Sequence, residues 1–153
     1  SIVLPFAQVE MAYGLTDYLD VVASLSSSAN LLGSIKYQII GDRYSPFGLA
    51  IMPGFEYQFR VFQDQLRVSR LHLPIILSYY TSEDLGFFAI PKYIVQVEEG
   101  TDNFSFPGIT GGIAIDRRIK YRIGAGVYIP FTQLVGVQGT IYHFGVSAKI
   151  PLR

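Results

Sequence analysis

Near the end of the chain, Tyr142, Phe144, Val146, Ala148, Ile150 and Leu152 alternate with His143, Gly145, Ser147, Lys149 and Pro151. Successive side chains of a strand point to opposite faces, so this period of two marks a strand with one apolar and one polar side. The same split recurs along nearly the whole sequence. It predicts nine strands, over residues 3–14, 18–27, 31–40, 47–62, 66–80, 85–98, 108–117, 119–130 and 138–151, separated by turn signals. No helical periodicity competes. A soluble sheet alternates too, but so many wholly apolar strand faces cannot all bury one another. A closed antiparallel up-and-down barrel satisfies them, with its apolar side toward lipid and its polar side toward the lumen. The expectation is therefore an all-β transmembrane barrel formed by residues 1–153 as one domain.

The connections set an orientation and raise a problem of parity. Short turns at Leu15-Thr16-Asp17, Gly41 to Pro46, Thr81 to Asp84 and Arg117-Arg118 alternate with a set that includes the longer Glu99 to Pro107 and Thr132 to Val137. Short periplasmic turns opposite longer external loops are the outer-membrane pattern. In that orientation the first strand starts outside and the ninth ends in the periplasm, leaving the termini on opposite sides. Bacterial single-chain barrels have even strand numbers. A ten-stranded barrel whose first strand precedes Ser1 is the favoured expectation, and eight strands is the second.

Composition sharpens the membrane reading. Half the residues are apolar and only 16% are charged, against about 25% in an ordinary soluble domain. Mean hydropathy is +0.32, yet no apolar run approaches the roughly 20 residues of a membrane helix. Eleven Tyr and eleven Phe suit the aromatic girdles of a barrel, although there is no Trp. Zero net charge and dispersed basic residues argue against nucleic acid as a partner. The absence of cysteine removes disulfides, thiol nucleophiles and Cys-based zinc sites. Ser1-Ile2-Val3-Leu4 has neither the charged start nor the long apolar core of a signal peptide, so a mature or trimmed chain is expected.

The segment Tyr13-Gly14-Leu15-Thr16-Asp17-Tyr18-Leu19-Asp20 resembles the first-hairpin turn of small bacterial outer-membrane β-barrel proteins, where Tyr-Gly-Leu-Thr-Asp precedes a strand beginning Leu-Asp. Such proteins often end in an aromatic residue read by the assembly machinery, whereas this sequence ends Ile150-Pro151-Leu152-Arg153. The resemblance implies a bacterial outer-membrane location, with lipid and lipopolysaccharide as surroundings. It does not single out a function, because such families carry many.

Sorting the faces identifies the candidate residues. The fourth strand gives the clearest lipid-facing set, Phe47, Leu49, Ile51, Pro53, Phe55, Tyr57, Phe59 and Val61. Expected to line the lumen are Glu10, Asp20, Lys36, Glu56, Arg60, Arg70, His72, Lys92, Glu98, Asp116, Arg118, Lys120, Arg122, His143 and Lys149, with Gln38, Gln58 and Gln96 among them. Only Arg67 and Arg117 fall on the apolar face, near strand ends where an Arg snorkels. The lumen set holds eight basic and five acidic groups. In so small a barrel these are expected to pair into a plug, giving a non-enzymatic structural or partner-binding element. Partners would dock on the external loops or at an open barrel edge. A narrow passage favouring small anions is the alternative.

Catalytic readings find less support. His72 and His143 with Ser78 or Ser147 would serve a lipid-modifying enzyme, and the two histidines with Glu56 or Glu98 would serve a metal. No Gly-x-Ser-x-Gly or His-Glu-x-x-His sequence accompanies them, and neither a cofactor nor a metal is expected. Gly108, Gly111, Gly112, Gly124 and Gly126 lie in strands with no following helix, which removes a phosphate loop; they are expected to ease curvature or admit large neighbours. Pro53, Pro74, Pro91 and Pro130 are expected to mark bulges or strand ends. Glu99 to Pro107 reads as a surface loop carrying Phe104 and Phe106.

Overall fold

The computed structural model describes residues 2–41, 45–58, 68–98, 103–116, 119–130 and 139–152, leaving aside the side chains of Ile2, Leu4 and Glu98. Among the described residues every regular element is a strand: β1 (Ile2–Gly14), β2 (Leu19–Ser26), β3 (Asn30–Ile40), β4 (Phe47–Ile51), β5 (Gly54–Gln58), β6 (Val68–Tyr80), β7 (Leu85–Glu98), β8 (Phe104–Asp116), β9 (Lys120–Tyr128) and β10 (Ile141–Leu152).

β4 and β5 are two halves of one barrel strand. On one side Tyr37 pairs with Ile51 and Ser34 with Gly54; on the other, Ile51 pairs with Ile75 and Gly54 with His72. The register is unchanged across Met52-Pro53. The ladder lapses there because Pro53 has no N–H to donate, while its carbonyl still accepts from Ile35 N at 3.0 Å and Met52 N donates to the Pro74 carbonyl at 3.1 Å. Pro74 and Pro91 also leave the β6–β7 register intact. These prolines therefore cause no bulge. The register shift falls between Gln38 and Ile40 on β3 instead.

Nine strands close into a ring in which each neighbour in sequence is a neighbour in space, and β10 returns to β1. Eight of the nine seams are antiparallel. The ninth is parallel, running from Ile2 opposite Ile141 to Tyr13 opposite Leu152. The parity problem is thus solved without a tenth or a missing strand. An odd ring of strands joined by hairpins brings its first and last strands together pointing the same way. The seam also removes the unpaired edge at which a partner strand was expected to add.

The registers fix the barrel's girth. Partners lead from Ala12 through Val22, Ser34, Gly54, His72 and Ile94 to Phe106, and from Thr110 through Gly126 and His143 to Leu4. The circuit thus slips four residues along β8 and eight along β1, a stagger of about twelve. With nine strands, that stagger implies a tilt of about 45° and a backbone radius of roughly 9 Å. Side chains fill most of such an interior.

The two faces of the ring are inverted relative to a soluble fold. Even-numbered residues point inward from β1 to β9, save Ile40 beyond the shift on β3, and odd-numbered ones in β10. Val9, Met11, Ile35, Leu71, Leu73, Ile75, Ile113, Ile123 and Val146 are exposed outside, whereas Glu10, Gln96, Thr110, His143 and Lys149 are buried inside. The outward rings fall in two belts. Tyr13, Tyr18, Tyr37, Phe47, Tyr79, Phe87 and Tyr121 cluster toward the end of the short turns, where Phe47, Tyr79 and Phe87 sit side by side across three strands. Phe55, Tyr93, Tyr142 and Phe144 lie toward the opposite end. Aliphatic side chains occupy the band between. Arg67 and Arg117 lie outside the described residues.

One boundary differs materially from the sequence reading. β8 begins at Phe104 rather than 108, paired with the end of β7 from Gln96 opposite Phe104. Phe106, expected in a surface loop, is buried inside the barrel. Residues 99–102 of that loop lie outside the described residues.

The parallel seam is directly testable because the protein has no cysteine of its own. Val9 and Ala148 are partners on the outward face of the seam, within the Cα range a disulfide spans. A Val9→Cys/Ala148→Cys double variant is expected to crosslink intramolecularly under mild oxidation, detected by non-reducing mobility and peptide mass. Val9→Cys/Ile141→Cys, far out of register, should not.

Candidate functional site

The inward face of the barrel carries Glu10, Asp20, Lys36, Glu56, Arg70, His72, Lys92, Asp116, Lys120, Arg122, His143 and Lys149, each at an inward position of its strand. Arg60 and Arg118 lie outside the described residues, as does the side chain of Glu98. The described groups do not form one plug. They gather in two clusters, at opposite ends of the lumen and against opposite walls.

The first cluster lies at the end where β5 and β7 finish and β3 and β6 begin. Glu56 on β5 is directly opposite Arg70 on β6 and forms an ion pair with it. Asn30 Nδ2 donates to the same carboxylate at 3.0 Å. The Arg70 Nε donates to Gln96 Oε1 at 2.7 Å, and a longer contact of 3.5 Å reaches Gln58 Oε1. His72 Nε2 approaches Glu56 Oε2 to 3.1 Å but is poorly aligned for a hydrogen bond. One arginine thus ties three neighbouring strands together through a carboxylate and two amides.

Against the facing wall at the same end, rings replace charges. His143 stacks on Tyr128, with centroids 4.8 Å apart and planes at 22°, and meets Phe6 in a tilted contact at 5.6 Å. Its Nε2 lies 3.1 Å from the Thr110 hydroxyl. The Lys92 ammonium sits 5.8 Å from the Tyr128 ring centroid, near the reach of a cation–π contact. Glycine makes this layer possible: a Cβ on Gly126 would lie 2.4 Å from His143 Nε2 and from the Ile109 carbonyl, and one on Gly108 would strike the Tyr128 ring at 2.2 Å. Gly108 and Gly126 thus admit large neighbours, one of the two roles expected of them from sequence.

The second cluster lies at the short-turn end. Lys120 Nζ pairs with Asp116 Oδ2 at 2.7 Å across the β8–β9 turn, and Lys149 Nζ stands 4.0 Å from Asp20 Oδ2. Lys36 and Arg122 complete the group. Facing them is an apolar wall: Ala50, Ile76, Phe88, Ile90 and Ala114 form a buried cluster with Met52 packed against it. Arg122 lies 5.9 Å from the Phe88 ring centroid. Between the two walls is a chamber of about 670 Å³. None of Arg70, His72, Lys92, Thr110, Tyr128 or His143 lines it.

The apolar wall was not anticipated, although the sequence carries a trace of it. In Phe87-Phe88-Ala89-Ile90 and Ile75-Ile76-Leu77 the alternation fails because both faces are apolar, which signals burial on the inner side as well. The catalytic groupings do not assemble. His72 is held against Glu56 on β6, and His143 against Thr110 and Tyr128 on β10. Ser147 is four residues along β10 from His143, about 13 Å at strand rise. Ser78 lines the chamber at the other end of β6 from His72. Among the described residues no three His, Asp or Glu side chains are placed to hold a metal.

The Glu56–Arg70 pair has side chains only 12% and 24% exposed. Glu56→Ala is therefore expected to destabilise the barrel by about 3 kcal/mol in urea unfolding from detergent micelles, by stranding a buried guanidinium. Glu56→Leu/Arg70→Met should recover much of that loss. Gly126→Ala should cost about 1–3 kcal/mol by overpacking, whereas Gly33→Ala, where a Cβ would meet nothing within 4 Å, should not.

Comparison with protein-family models, with curated proteins and with solved structures finds no match to this chain.

Proposed function

We propose that this chain is an integral bacterial outer-membrane β-barrel without enzymatic activity, a structural or partner-binding element whose outer face meets lipid and lipopolysaccharide. The observation that carries the reading is the inversion of its two faces. Among the described residues, thirty-four large hydrophobic side chains are exposed, while ten hydrophobic residues are buried. Burying one such side chain is worth about 1.5–3 kcal/mol, and monomeric soluble proteins rarely leave apolar patches beyond a few hundred Å². An apolar band that encircles the molecule fits hydrocarbon as its solvent.

Dimensions and aromatic placement support the same reading. β1, β6 and β8 have 13 residues each and β7 has 14, enough to cross a bilayer, which takes about 9–11 tilted residues. Belts of Tyr and Phe bracket the aliphatic band, as interfacial rings do. In this orientation the short turns face the periplasm and the chamber opens there. Within the ring every backbone seam is paired, a condition for strands to cross a membrane.

A structural or docking role fits the interior better than a pore. The Glu56–Arg70 network, the His143–Tyr128–Phe6 layer and the Phe88 wall divide the lumen, and the chamber at one end does not extend to the residues of the other. The outer surface and the loops are then what the protein offers to other molecules.

Ile123, exposed at mid-band, tests the solvent of the outer face. Ile123→Arg is expected to lower folding stability in lipid vesicles by about 2–4 kcal/mol, while Tyr18→Arg at the turn-end belt should cost under about 1 kcal/mol. The folded barrel should also migrate differently on gels before and after boiling. A monodisperse, folded solution of the protein without detergent would contradict the proposal.

A further inference from the structure

We propose that the chamber at the short-turn end is a binding site for a small organic monoanion, a carboxylate carried on an apolar or aromatic body. This inference stands on the closed barrel and goes beyond its placement in a membrane.

The charges around the chamber are unequally satisfied. Asp116 is paired with Lys120 and Asp20 lies beside Lys149. Glu10, opposite Lys149 across the seam, accepts a hydrogen bond from Gln8. Lys36 and Arg122 are left: both line the chamber, and among the described residues neither has a carboxylate within ion-pair distance. Lys36 is surrounded by Lys149, Arg122 and Lys120, with Asp20 as its opposing charge. Arg122 lies near the Phe88 ring and makes no hydrogen bond to another described residue, so its planar fork of donors is open to a carboxylate. Two inward, half-buried cations without an ion-pair partner are costly for a fold to retain. An anion between them removes that cost.

The opposite wall gives the ligand its second half. Ala50, Ile76, Phe88 and Ala114 line the same space, so a ligand seated on Lys36 and Arg122 presses its body against apolar surface. The chamber's volume of about 670 Å³ exceeds what an inorganic anion fills and lies in the range of small-molecule pockets. Asp20 and Asp116 line the chamber as well, each beside its lysine, and Asp17 and Glu83, at the turns, complete the charged lining near the mouth. They disfavour multiply charged anions and leave a single carboxylate as the best match. Tyr80 and Ser78 add hydroxyl groups to the lining.

The test uses the folded barrel in non-ionic detergent, with sodium benzoate, benzamide and inorganic phosphate as probes in calorimetric titrations. Benzoate is expected to bind saturably, benzamide not at all, and phosphate at least tenfold more weakly than benzoate. Lys36→Gln and Arg122→Gln should each weaken benzoate by roughly tenfold, the scale of one charge-assisted contact. Lys36→Arg should retain binding, as should Lys92→Gln at the far end of the lumen. Folding of each variant is read independently from its unboiled gel mobility. If a variant does not fold, benzoate on the wild-type barrel should still protect Lys36 from amine acylation, measured by peptide mass. A folded wild type that binds no benzoate overturns the proposal without touching the membrane reading. So do equal affinities for benzamide or phosphate, unaltered binding in Lys36→Gln or Arg122→Gln, or unprotected Lys36.

Discussion

A sheet built of hairpins and containing an odd number of strands can close on itself only through one parallel seam. In this protein that seam joins β1 to β10 over twelve registered pairs, from Ile2 and Ile141 to Tyr13 and Leu152. The rest of the structure depends on it. Without it, two strand edges would expose unpaired backbone groups, and a hydrocarbon setting would not tolerate them. With it, nine strands and a stagger of about twelve residues define a narrow cylinder. Parallel pairing is slightly less favourable per residue than antiparallel pairing. The length of the seam compensates.

The narrow cylinder dictates what the interior holds. Glycines at inward positions let aromatic rings lie against backbone, as Tyr128 does over Gly108 and Phe6 over Gly145. In so small a space most charged groups gather where partners are found. Glu56 and Arg70 meet directly across one seam, and Lys120 folds back on Asp116 across a turn. The two ends therefore differ in kind. One is held by an arginine network and a layer of rings. The other keeps a chamber between a charged wall that carries Lys36 and Arg122 and an apolar wall, and it is where the interior retains space for another molecule.

Much of this was legible in the sequence because strand periodicity is a local property. Alternation located the strands, and parity within each strand assigned Glu10, Asp20, Lys36, Glu56 and Lys149 to one face. Closure is not local. The rule that barrels have even strand numbers assumes antiparallel seams throughout, so nine strands read as a missing or surplus one. Nothing in the alternation of Val3 to Tyr13 or Tyr142 to Leu152 reveals the direction of a pairing between segments more than a hundred residues apart. The apolar wall was hidden for a different reason. Phe88, Ile76 and Ala50 sit inward on strands whose outward residues are apolar as well, and a two-class pattern then carries no information about sides. Proline misled in the opposite direction. Pro53, Pro74 and Pro91 each lack a donor, but the ladder keeps its register around them through their carbonyls and neighbours. The true shift is near Gln38, which no breaker residue marks.

A membrane barrel has its outer face solvated by hydrocarbon and its inner face not. The most direct measurement is spin-label accessibility along β10, one label at a time from Tyr142 to Leu152, with the protein folded into lipid vesicles. Collision rates with oxygen, which concentrates in acyl chains, should rise at Tyr142, Phe144, Val146, Ala148 and Ile150 and fall at His143, Gly145, Ser147 and Lys149. A water-soluble nickel reagent should be excluded from the mid-band labels on the first set. Oxygen maxima on the second set, or free access of the nickel reagent to Phe144 and Val146, would contradict the account.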